Sequence, residues 1–261
     1  MQQHSTVYTI LFSTAVCIVC SFFVSGAAVG LKARQDENAR LDKQVNVCLA
    51  AGLIEPGTHP SAEQVKALFA DIKPVVVDLA GGQETDTETE GFDQLKATKD
   101  PATSRIAPDN NAGIPRLPNQ ALLFKVFKDG RLDQLVLPIE GKGLWSTLYG
   151  FLALDADGVT IRGITFYQHA ETPGLGGEID NPKWKALWVG RQAFDENFEP
   201  KIEVIKGHAG DAQSDPYRID GLSGATLTGR GVSHLVRFWL GENGFGPYLQ
   251  NLRESGVLKR G

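Results

Sequence analysis

Much is missing from this 261-residue sequence, and each absence removes a class of protein. With only three cysteines it has no disulfide framework to stand on. It has no surplus of positive charge: 26 Lys and Arg against 31 Asp and Glu leave a net −5, which argues against nucleic acid as the main partner. No G-x-x-x-x-G-K-[ST] phosphate loop occurs, and no G-x-G-x-x-G follows a strand-like run. The G-x-S-x-G turn of an α/β-hydrolase nucleophile is absent too. Finally, no Asp, Glu, Lys or Arg stands between Ser5 and Leu31.

That charge-free run exceeds the ~20 apolar residues needed to cross the hydrocarbon core of a bilayer. A cleaved signal peptide competes with this reading, and Ser25-Gly26-Ala27-Ala28 could serve as its cleavage site. Signal peptides, however, carry a shorter apolar core behind a basic N-terminus, and here only His4 precedes the run. A retained transmembrane anchor is therefore expected. Lys32, Arg34 and Arg40 follow it, mixed with Asp36 and Glu37, so charge alone weakly places the C-terminal side in the cytoplasm. Cys17 and Cys20 share a helix face; they read either as a metal or redox pair or, better, as small apolar residues of the span. Cys48 reads as structural.

Beyond the anchor, Leu41, Val45 and Leu49 predict that a helix continues out of the membrane. Ser61 and Gln64 form a capping box for a helix with Val65, Leu68, Phe69 and Ile72 on one face, ended by Lys73-Pro74. The acidic stretch 81–91 reads as a solvated loop, and Pro101, Pro108, Pro115 and Pro118 predict no regular element over 100–119. From Ala121 the pattern turns to strands: one hairpin around Asp129-Gly130, a second around 155–158, and a fifth strand over Lys201–Lys206. Asn181-Pro182 starts a short helix, and Val232, Leu235, Val236 and Trp239 mark a longer one stopped by Gly241. The expected class is α+β, a mainly antiparallel sheet with flanking helices behind one N-terminal transmembrane helix. The expected divisions are an anchor over 1–35, a juxtamembrane helical and loop region over 36–120, and a ligand-carrying domain over 121–261.

Three glycine-rich loops stand where strands are expected to end: Pro138–Trp145, His169–Gly177 and Asp220–Gly229. Glycines let backbone groups approach a ligand closely. The third loop also precedes a helix, whose free amides and partial positive charge suit an anion. A plain capping turn, with Ser223 or Thr228 as the cap, is the alternative.

Asp220-x-x-Ser223-Gly224-Ala225-Thr226 resembles the attachment motif of proteins that carry FMN through its phosphate on a threonine hydroxyl. Glu140-Gly-Lys-Gly-Leu-Trp145 and Glu171-Thr-Pro-Gly-Leu-Gly-Gly177 are similar to the other two loops of that FMN-binding family. The similarity extends to Leu41-Asp-Lys-Gln44 and Gly246-Pro-Tyr-Leu-Gln-Asn-Leu-Arg253. It points to the family of C-type subunits of sodium-translocating NADH:quinone oxidoreductases. The G-type subunit of the Rnf complex shares the loops and is the redox alternative; a cofactor-free, membrane-anchored binding module is the alternative of another class.

The resemblance implies a covalent phosphoester between FMN and Thr226. A phosphodiester keeps one negative charge, which the surrounding backbone of Ser223, Gly224, Ala225 and Leu227 could hold, with Thr228 as a second hydroxyl nearby. Leu144 and Trp145, beside Gly141, could pack on the flavin ring, although Trp145 reads equally as a core aromatic. Thr172, Gly174, Leu175 and Gly176 could face the ring's edge. Lys142 and Lys206 are either positive charges near the ring or ordinary surface lysines. His169 and Glu171 are too few for a metal site and read as hydrogen-bonding residues that shape their loop, with Glu171 counted among the residues of the cofactor site. The resemblance further implies electron relay from NADH toward ubiquinone, partner subunits that move sodium, and a separate flavin transferase using FAD. It places the flavin domain on the periplasmic face of a bacterial inner membrane.

Overall fold

In the computed structural model, which describes residues 5–58 and 60–258, the charge-free run is one end of a single long helix, α1 (Thr6–Ala50). His4, the first residues of the expected anchor and the last three of the chain lie outside the described residues. α1 is long and apolar enough to cross a membrane by length and composition. Two compact units divide within it, one up to Lys43 and the other from Gln44 onward.

The second unit is built on a six-stranded sheet in which every neighbouring pair is antiparallel. After α1, the capping box forms as predicted: Ser61 Oγ accepts from Gln64 N, the Gln64 side chain accepts from Ser61 N, and α2 (Ala62–Leu68) follows. The helix does not run on to Pro74. A single 3-10 turn over Phe69–Asp71 ends it, and Ile72 opens strand β1 (Ile72–Asp78), with Pro74 in register with Phe124. Pro74 is tolerated because β1 meets its outer neighbour β2 (Gln83–Glu84) only at Val77 and Asp78, so its missing N–H lies on an open edge.

Helix α3 (Gln94–Lys99) is capped by Asp93. The proline-rich stretch also departs from expectation. β3 (Ser104–Ile106) and β4 (Arg116–Pro118) pair as a small separate ribbon, with Pro101 in the turn before it, Pro108 and Pro115 in the loop between and Pro118 at its end. β5 (Gln120–Lys128) and β6 (Arg131–Lys142) form the first predicted hairpin, turning at Asp129 and Gly130, both with positive φ. β7 (Thr147–Asp155) and β8 (Ile161–Gln168) complete the sheet in the order β2-β1-β5-β6-β7-β8.

Past the sheet, Asn181 caps α4 (Pro182–Ala186) with Pro182 in the first turn. The fifth strand expected over Lys201–Lys206 shrinks to β9 (Glu203–Val204), and it does not join the sheet. It pairs in parallel with β10 (Arg218–Ile219) on one edge, and Ser233 of the following helix takes the other: Val204 N donates to Ser233 Oγ at 2.8 Å. α5 (Thr226–Leu240) and α6 (Gly246–Glu254) close the chain.

Both faces of the sheet are covered, so its strands carry apolar residues on each side. One face packs Val75, Leu123, Leu137, Ile139 and Leu152 against Val232, Leu235, Val236 and Trp239 of α5. The other packs Val76, Phe124, Val136, Phe151 and Ala153 beneath Val47, Cys48 and Ala50 at the end of α1 and Ile54 in the turn after it. Burial pushes the Cys48 thiol up to about 11, which leaves it inert and structural. Gly141 belongs to this packing and not to a ligand loop. It is a buried strand residue, and a Cβ there would lie 2.5 Å from the Leu235 Cβ of α5. The backbone approach that its glycine permits is to a helix.

Candidate functional site

The three glycine loops meet at one carboxylate. Strands β6 and β7 are joined by a tight turn in which Gly143 N donates to Ser146 O at 2.8 Å. The loop after β8 carries Glu171 beneath that turn. Its carboxylate accepts from the amides of Leu144 (3.2 Å), Trp145 (2.9 Å) and Ser146 (3.1 Å), and from the Ser146 hydroxyl (3.3 Å). From the third loop, Thr228 on the first turn of α5 donates its hydroxyl at 2.6 Å. A Cβ on Gly143 or Gly176 would run into this knot, 2.7 Å from Glu171 Oε1 and 2.6 Å from Thr228 Oγ1 respectively. Burial pushes the Glu171 pKa up, but the Thr228 hydroxyl and the three amides favour the charged form more strongly and hold the carboxyl below its ordinary value.

Glu171 and Thr228, both read from sequence as cofactor residues, thus spend their polar atoms on each other and on the first loop. With Gly176 and Ala225 they form the buried layer of the site. Above it lies an exposed layer of Leu144, Trp145, Thr172, Gly174, Leu175, Ser223, Gly224, Thr226 and Leu227. Trp145 is 72% exposed and so is not a core aromatic. Leu144, Leu175 and Leu227 also keep more than a third of their surface open, an apolar patch around the start of α5.

α5 begins on Ala225, whose side chain caps nothing. The first backbone bond across its N-terminus runs from Gly229 N to Ala225 O at 3.0 Å, so the amides of Thr226, Leu227 and Thr228 precede it and are left for an external acceptor. Ser223 is exposed and does not cap this helix, which excludes the plain capping turn. Gly224 has φ +70°, and a Cβ there would stand 2.8 Å from Leu175 Cδ2. Of the two threonines, Thr226 is exposed and Thr228 fully buried.

Thr226 also heads a cleft of about 670 Å3 lined by Lys206, His208, Ser223, Arg230 and His234. Arg230 and His234 do not stand out in the sequence. They lie four and eight residues after Thr226, and that helical spacing is the available signal. Lys206 faces this cleft, whereas Lys142 does not line it. A larger hollow of about 970 Å3 opens between Asp157, Phe194, Phe198 and Arg253 and shares no residue with the three loops.

Residues 143–241, which contain the turn, the knot and α5, match the FMN-binding domain family. The C-type subunit, NqrC, of the Na+-translocating NADH-quinone reductase from Pseudomonas aeruginosa is 51% identical over 259 residues, 97% of this chain and 98% of that protein. The chain belongs to this NqrC family. The Yersinia pestis member is 48% identical over 97% of the chain and 95% of its own length. The crystal structure of NqrC from Shewanella oneidensis covers 83% of this chain and 99% of its own, with a TM-score of 0.76 at 36% identity. The NqrC match decides against the Rnf alternative, and the FMN-binding domain against a cofactor-free module.

The residues of the site suit FMN. The uncapped amides of Thr226, Leu227 and Thr228 are a donor set for a phosphate, and the four exposed apolar side chains are a surface for a flat ring. Gly224→Val tests the geometry. At φ +70° a β-branched residue is strained by about 1–3 kcal/mol and strikes Leu175. Flavin content per folded chain is expected to drop severalfold, read by absorbance of the purified protein; a full complement of flavin would show that this turn is not a tight cradle.

Proposed function

We propose that this protein carries FMN covalently, through its phosphate on Thr226, and relays electrons from NADH toward ubiquinone within a Na+-translocating respiratory complex. The supporting observation is the contrast between the two threonines. Thr226 is open to solvent at an uncapped helix start, while the Thr228 hydroxyl is buried and committed to Glu171. When bound, FMN supplies the electron-transfer chemistry, and the protein sets its place and surroundings. In this reading the first amides of α5 hold the phosphodiester, while Leu144, Trp145, Leu175 and Leu227 cover the ring. Lys206 and Arg230 add positive charge beside the phosphate, and His234 lines the same cleft. Attachment requires a flavin transferase with FAD as donor: a bond forms from Thr226 Oγ to the FMN phosphorus, the pyrophosphate bond breaks, AMP leaves and the hydroxyl proton is released.

Residues 1–35 then anchor the protein, 36–120 lead from the anchor and contribute β1 and β2 to the sheet, and 121–261 carry the flavin. Among the described residues one helix is long and apolar enough to span, too little to build an ion path, so sodium movement belongs to the other members of the complex. The flavin domain stands on the periplasmic face of the inner membrane. Protease added to spheroplasts is expected to digest it, and sealed inverted vesicles to protect it; digestion only in the vesicles would reverse the orientation.

The attachment itself is tested by peptide mass. Trypsin releases Ile219–Arg230, which contains Ser223, Thr226 and Thr228. From cells with the transferase, this peptide is expected to be heavier by one FMN less one water, with fragmentation placing the addition on Thr226. An unmodified peptide, or an addition on Ser223 or Thr228, overturns the proposal.

A further inference from the structure

The loop that brings Glu171 to the knot is itself held from behind by an imidazole. His169 is only 12% exposed at its side chain, and its Nδ1 accepts from the backbone amide of Glu171 at 3.2 Å. Its Nε2 lies 2.7 Å from Asp180 Oδ2, in the 3-10 turn Gly176–Asp180 that closes the same loop. An imidazole that accepts at Nδ1 carries its proton on Nε2, so Nε2 donates to Asp180. Lys185, whose Nζ is 3.8 Å from Asp180 Oδ1 and donates to Thr165 Oγ1 at 3.2 Å, offsets part of that carboxylate's charge. The ring therefore joins the two ends of the loop.

We propose that His169, oriented by Asp180, is a positioning residue for the flavin site: as neutral imidazole it clamps the Glu171 amide and keeps the three-loop knot closed, and on gaining a second proton it releases it. The chemistry is local. A proton on Nδ1 places an N–H against the N–H of Glu171, so the acceptor is lost and the two donors oppose each other. The charged groups around the ring are Asp180, Lys185 beyond it, and Glu171, whose carboxylate is committed to the knot. Histidine is the side chain whose charge changes between about pH 5 and 8. Glu171, with its carboxyl held below the ordinary range, stays ionised across that window. The consequence for the flavin rests on the reading that FMN occupies this site; the clamp itself does not.

The test is hydrogen exchange by mass spectrometry on the full chain in detergent, prepared with and without attached flavin. It follows the amides of residues 144–146 and 171 from about pH 8 to 5.5, after correction for intrinsic rates. In the wild type, exchange at the low end is expected to be about tenfold faster, the worth of one lost hydrogen bond with its partner left unpaired. His169→Asn keeps an acceptor near the Nδ1 position and cannot gain the proton, so it is expected to stay protected with a flat pH profile. His169→Ala is expected to exchange fast throughout. In flavin-bearing protein the visible flavin spectrum is expected to shift over the same pH range in the wild type and not in His169→Asn. Wild-type pH dependence in His169→Asn, or wild-type protection in His169→Ala, would overturn the clamp. An exchange profile as expected, with a flavin spectrum indifferent to pH, would uphold the clamp and place the flavin away from this knot.

Discussion

Thr226→Ala is expected to abolish covalent flavin and leave the fold unchanged. The side chain is exposed at the first position of α5 and caps nothing there, so its loss falls among surface substitutions worth about 0.5 kcal/mol or less. The hydroxyl is nonetheless the attachment atom of the proposed phosphoester, for which alanine has no substitute. In-gel flavin fluorescence after denaturation is expected to fall to background while thermal unfolding stays at its wild-type midpoint. Thr228→Ala has the opposite signature. It removes a donor from a buried carboxylate, which costs about 1–3 kcal/mol, while chains that fold still take up flavin. Fluorescence kept in Thr226→Ala and lost in Thr228→Ala would exchange the roles of the two threonines.

Glu171→Ala is expected to be the most destabilising single change in the site. It strands the buried hydroxyl of Thr228 and three turn amides that no other group serves, and removes the contact through which the loops meet. Each buried donor left without its acceptor costs about 1–3 kcal/mol, so losing this group of them costs about 3–5 kcal/mol. For a chain of this size that lowers Tm by about 10 °C. Glu171→Gln keeps one acceptor oxygen and is expected to lose less. The same carboxylate makes stability depend on pH. Its pKa in the folded protein lies below the unfolded value near ~4.3, so its contribution is fully present above that value and is lost as pH falls through the lower, folded one. Calorimetry below about pH 4.5 is expected to show a fall in Tm for the wild type that Glu171→Gln lacks. Equal acid sensitivity in the two proteins would assign the effect to other carboxylates.

What is legible in the sequence is what depends on neighbours along the chain. The charge-free run, the Ser61 capping box, the Asp129-Gly130 turn, Asn181-Pro182 and the stripe of α5 are local devices, and each forms as its spacing predicts. The departures have a common origin in edges. Pro74 reads as a stop because a proline ends a helix, yet an open strand edge accepts it. Pro118 reads as excluding order, yet it ends a two-strand ribbon. Lys201–Lys206 alternates like a strand, but Ser233 occupies the edge that the sheet would need. Whether a backbone group has a free side depends on residues tens of positions away, and no periodicity reports it.

The site divides in the same way. Sequence alone marked three glycine loops and a helix start, the family resemblance assigned them to one expected ligand, and the structure brings the loops together at Glu171. Only the tertiary structure decided what each residue does there. It turned Glu171 and Thr228 from ligand contacts into the knot beneath the site, gave Gly141 to the packing of α5, and brought Arg230 and His234 into the cleft headed by Thr226. The physical reason is that a polar atom has few bonds to give. A hydroxyl or carboxylate serves a cofactor only if the fold has not already used it, and burial settles that after the loops, which are distant in sequence, have met.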